Sequence, residues 1–104
     1  VAMRWKTQFN ENADSPAFWE QLPEATHNAV QGMLKTSEYA NAISTLVFDS
    51  DRYEDNLTNQ VVATLENSSK IGLQTQRIKL EAQSMLSEIL ELIFLGDMTS
   101  YYLA

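Results

Sequence analysis

The chain has 104 residues, enough for one domain with a single core, and seven Lys and Arg against fourteen Asp and Glu leave a formal charge of −7. That balance excludes a nucleic-acid groove, because phosphate binding needs a concentrated positive surface. The absence of cysteine excludes thiol catalysis, a zinc ribbon and a disulfide framework.

Only three Gly and two Pro interrupt the chain, and between them apolar residues recur at three- and four-residue spacing. Residues 1–14 read as a polar N-terminal arm carrying Arg4, Trp5 and Phe9. Ser15 before Pro16 is a helix-start signal, and a first helix is expected from there to about Lys35, bent at Pro23 and striped by Thr26, Ala29, Val30, Met33 and Leu34. Thr36 and Ser37 then cap a second helix with Tyr39, Ala40, Ile43, Leu46 and Val47 on one side.

From Asp51 to Leu95 there is no proline. The stripe runs through Leu57, Val61 and Leu65, crosses the small and polar Ser68, Gly72 and Thr75, and resumes at Ile78, Ala82, Met85, Ile89 and Ile93. One helix of ~45 residues would be roughly 67 Å long, beyond any core of this size, so two helices with a turn in Asn67–Gly72 are expected. Gly96 reads as a stop and Asp97 as a new cap, leaving a tail, residues 96–104, that ends in Tyr101, Tyr102 and Leu103. The fold class expected is all-α: a four-helix up-down bundle over residues 15–95, with arm and tail folded onto it or onto a partner. Even the apolar run Leu92–Leu95 is far short of the ~20 residues that span a bilayer, so a soluble domain without a transmembrane segment is expected. The opening Val1 points to a processed chain.

Candidate chemistry is sparse. In Phe48-Asp-Ser-Asp-Arg-Tyr-Glu-Asp55, the acids at 49 and 51 have the spacing of a calcium loop, but Tyr53, Glu54 and Gln60 stand where such a loop needs a ligand, a glycine and a bidentate glutamate. A helix start fits better, with Asp49 or Ser50 as cap and Asp51 with Glu54 as a capping box. Glu24 and His27 match the Glu-x-x-His pair of di-iron bundles, yet His27 is the only histidine and the motif is needed twice. Glu81, Glu88 and Glu91 read as a solvated helix face rather than acid–base machinery. The sequons at Asn56 and Asn67 are short enough to arise by chance. No catalytic residue, metal or cofactor is expected.

What remains is contact. Arg4, Trp5, Phe9, Tyr101, Tyr102 and Leu103 are residue types that anchor interfaces, and Lys70, Arg77 and Lys79 make a small basic patch. The expectation is a non-catalytic bundle that docks on a protein partner as a subunit of a larger assembly. Alternatives are a lipid- or small-molecule-binding bundle whose methionines, Trp5 and Trp19 line a cavity, and an acidic inhibitor of the immunity-protein kind. In size, absence of cysteine and expected processing, the chain resembles the small extrinsic four-helix proteins of the PsbQ-like type on the lumenal side of photosystem II. That resemblance implies a thylakoid lumen location, peripheral contact with a membrane complex, and support of the oxygen-evolving centre with no cofactor of its own.

Overall fold

Ser44–Asp49, which helical spacing assigns to a second helix, is a β-strand. In a computed structural model of the chain, which describes residues 1–33 and 37–104, this strand, β1, is followed by helix α3 (Asp55–Lys70) and a second strand, β2 (Gln74–Lys79). The strands pair in parallel, with Ser44 opposite Gln74 and Asp49 opposite Lys79. Parallel neighbours need a crossover connection, and α3 supplies it, packing on both strands. The element is a βαβ unit, so the fold is α/β and the all-α bundle is not formed. Side chains at 47 and 49 are buried and Thr45 half-buried on one face of β1, the two-residue alternation of a strand covered on one side.

The break after α3 falls at Gly72, whose φ of +80° suits a residue without Cβ, but the chain leaves it into β2 rather than a helix. The core of this unit is built from Ala40, Val47, Val61, Leu73 and Ile78. Asp49 is buried there too, its side chain 1% exposed and ion-paired to Arg77, whose Nε donates to Asp49 Oδ2 at 2.9 Å. Lys79 pairs with Asp51. Asp49 is therefore a strand residue, and α3 begins at Asp55 after Glu54 without a side-chain cap; the expected capping box is absent because its first half belongs to the turn after β1. Arg77→Leu should cost roughly 3 kcal/mol, since it leaves a carboxylate buried without its partner. The double variant Asp49→Leu with Arg77→Leu should recover much of that loss, read by denaturant unfolding.

Ser15-Pro16 starts no helix. Residues 14–21 are irregular, helix α2 covers only Ala25–Met33, and a 3₁₀ turn follows over Ser37–Ala42. Leu34, Lys35 and Thr36, where one helix was expected to end and the next to be capped, lie outside the described residues.

The chain divides into two compact units, residues 21–79 and residues 1–20 with 80–104. In the second of these, the expected arm is helix α1 (Ala2–Asn12), and the expected tail is the end of one helix, α4 (Met85–Leu103). Ser84 caps α4: its hydroxyl accepts from the Ser87 N–H, and the Ser87 hydroxyl accepts from the Ser84 N–H. Gly96 does not stop α4. It lies on the face formed by Glu88, Leu92, Gly96 and Ser100, one residue every four, which is buried, and Trp5 of α1 packs directly against it. No helix of the described residues is long and apolar enough to cross a membrane.

Candidate active site

Helix α1 ends in Asn10-Glu11-Asn12, and its last turn is held by side chains rather than by a glycine stop. Asn10 Nδ2 donates to the Ser15 carbonyl at 2.8 Å, and the Ser15 N–H returns to the Phe9 carbonyl at 3.1 Å. Asn12 Nδ2 donates to Gln8 Oε1 at 2.7 Å and to Ser100 Oγ of α4 at 3.0 Å. Between these anchors Asp14 adopts φ +47°, a left-handed conformation that a residue with a Cβ takes at a cost. Backbone strain kept by surrounding hydrogen bonds is a feature of functional corners.

Glu11 stands in the middle of this corner. Its carboxylate is exposed, and among the described residues no donor or cation engages it. Asp49, Asp51 and Asp97 are committed to Arg77, Lys79 and Arg4, whereas Glu11 shares its unpaired state with several other surface acids. What sets Glu11 apart is its backbone, a helix turn tied down on both sides through Asn10 and Asn12. Sequence reasoning placed it in a polar arm and passed over it; the available signal was a glutamate flanked on both sides by asparagine.

His27 lies in the other unit, exposed in the first turn of α2, its backbone N–H donating to the Glu24 carbonyl at 3.0 Å. Among the described residues no three His, Cys, Asp or Glu side chains are gathered to hold a metal ion.

The residues singled out for docking fall in three places. Arg4 Nη2 donates to both carboxylate oxygens of Asp97, at 2.8 and 3.0 Å. Trp5 is 4% exposed and stacks edge-on with Phe9, ring centroids 5.7 Å apart. Tyr101, Tyr102 and Leu103 are exposed on the last turn of α4. Lys70 ends α3, exposed, while Arg77 and Lys79 project from β2 and are ion-paired to acids of β1 and the turn after it. The structure therefore brings Arg4 and Trp5 onto α4 as clamp and packing, with Phe9 against Trp5.

The βαβ unit defines an α/β domain. The chain belongs to the family of the bacterial phospho-glucose isomerase C-terminal SIS domain, which it matches over residues 1–104. It is 34% identical over 104 residues to the bifunctional phosphoglucose/phosphomannose isomerase of Aquifex aeolicus, covering all of this chain and 32% of that protein. It is 32% identical over 105 residues to the enzyme of the same name from Thermoplasma acidophilum, again covering all of this chain and 32% of the relative. A D-glucosamine-6-phosphate 4-epimerase of Sulfolobus acidocaldarius is 38% identical over 65 residues, 62% of this chain and 21% of that protein. The chain thus spans about a third of the length of the curated isomerases it matches. No solved structure matches it.

Membership of an isomerase domain family overturns the expectation of a non-catalytic docking subunit, and with it the photosystem, lipid-binding and inhibitor alternatives. The error had a physical source. The chain carries no compact set of catalytic residue types at fixed spacing, so composition and spacing left only contact as a function.

Proposed function

We propose that this chain is the C-terminal domain of a sugar-phosphate isomerase that interconverts hexose 6-phosphates between aldose and ketose forms. The observation that carries the reading is the match of all 104 residues to an isomerase domain family, and the pinned, unpaired Glu11 supports it. Relatives named for both phosphoglucose and phosphomannose fit one chemistry, because glucose and mannose 6-phosphates give the same 1,2-enediol as fructose 6-phosphate.

A hexose phosphate is mostly a closed ring. Opening it removes the proton from the C1 hydroxyl and delivers one to the ring oxygen as the bond to C1 breaks, leaving an aldehyde. A base then takes the C2 proton while O1 gains one, forming the enediol; the proton returns to C1 as O2 loses its own, giving the ketone. Glu11 is the proposed base, carrying one proton between two adjacent carbons.

The test is an assay of the intact protein with glucose, mannose and glucosamine 6-phosphates, run in deuterium oxide. Fructose 6-phosphate carrying solvent deuterium at C1 is the expected product. No turnover of glucose or mannose 6-phosphate, or inversion at C4 of the amino sugar in its place, would remove the reading.

A further inference from the structure

Ser100 is one of the most deeply buried side chains of the chain, at 0% exposure, and its hydroxyl is used twice. It donates to the Asp97 carbonyl at 2.8 Å and accepts from Asn12 Nδ2 at 3.0 Å. Packing alone does not call for a hydroxyl here, since Gly96 one turn earlier meets the same helix with no side chain at all. Helix α1 is already clamped near its start by Arg4 on Asp97 and by Trp5 Nε1 on the Leu92 carbonyl. A third tie at Asn12 adds little to that docking. What it does fix is the rotation of the final turn, and the residue carried by that turn is Glu11.

We propose that Ser100, acting through Asn12, is a positioning residue: the C-terminal helix sets the direction in which Glu11 presents its carboxylate. The proposal rests on the reading of Glu11 as the base. A bond between Asn12 and a fully buried hydroxyl holds its direction because water does not compete for Ser100. A carboxylate turned by about 1 Å abstracts a carbon-bound proton much more slowly, while the sugar phosphate is still bound.

The experiment uses the intact protein with Ser100→Ala, Asn12→Ala and the double variant, beside Glu11→Gln. Ser100→Ala is nearly isosteric, and Asn12 is exposed, so folding is retained and is checked by melting temperature. Each single variant is expected to lower kcat about 10-fold with KM within about twofold, and the double variant to be no worse than either, because both remove one tie. The isotope effect with substrate deuterated at C2 should also rise in each variant, as proton abstraction becomes the slow step; a role in stability alone would not move it. If Glu11→Gln is inactive while Ser100→Ala and Asn12→Ala keep wild-type kcat and isotope effect, the positioning role is wrong and the base assignment stands. If Glu11→Gln stays active, both fall.

Discussion

Glu11→Gln in the intact protein should lower kcat for hexose phosphate interconversion about 10³-fold, within the range by which a positioned general base accelerates proton transfer. Glutamine keeps the length and hydrogen-bonding capacity of the side chain but cannot carry a proton away from carbon. Glu11 is exposed and engages no partner among the described residues, so the melting temperature should not change. Incorporation of deuterium from solvent should fall in step with turnover. Retention of more than about a tenth of wild-type kcat would exclude Glu11 as the base, whatever the substrate.

Trp5→Ala should destabilise the protein by about 3–5 kcal/mol, the usual loss when a large buried aromatic is truncated. The indole is 4% exposed, donates to the Leu92 carbonyl at 2.7 Å and packs on Phe9 and Gly96. Alanine removes the ring and its hydrogen bond together. Gly96→Ala probes the same contact from the other side. An alanine in mid-helix normally gains up to about 1 kcal/mol over glycine, but a Cβ at Gly96 would lie 2.6 Å from Trp5 Cδ1 and Cε2. The ring is hydrogen-bonded in place and cannot yield cheaply, and overpacking of this kind costs about 1–3 kcal/mol. Gly96→Ala is therefore expected to destabilise the wild-type protein and to stabilise the Trp5→Ala variant. That reversal of sign, followed by denaturant unfolding, is the signature of direct contact. A Trp5→Ala protein as stable as wild type would mean that α1 is a peripheral arm after all.

Several features were legible from neighbouring residues alone. The charge of −7 and the absence of cysteine removed whole classes of function. The helical periodicity of Leu57, Val61 and Leu65 lies within α3, and that of Met85, Ile89 and Ile93 within α4. The break near Gly72 was visible too, because a positive φ is a local demand met by a local residue. The candidate site was far less legible. Glu11 looks like any surface glutamate until the hydrogen bonds of Asn10 and Asn12 are seen.

The misread parts share one physical cause. Ile43, Leu46 and Val47 satisfy a helical stripe, while Val47 and Asp49 satisfy a strand, and a short apolar run does not distinguish the two. What made β1 a strand is β2, thirty residues further along, supplying backbone partners across a crossover that no local window contains. Gly96 behaves likewise: its chemistry says stop, yet α4 runs through it because the space a side chain would need is filled by Trp5, ninety-one residues earlier in the chain. Turns, helical stripes and net charge follow from interactions within a few residues and can be read in order. Strand pairing, the clasp of α1 on α4 and the fixing of Glu11 depend on contacts between distant segments, and only the folded chain brings those segments together.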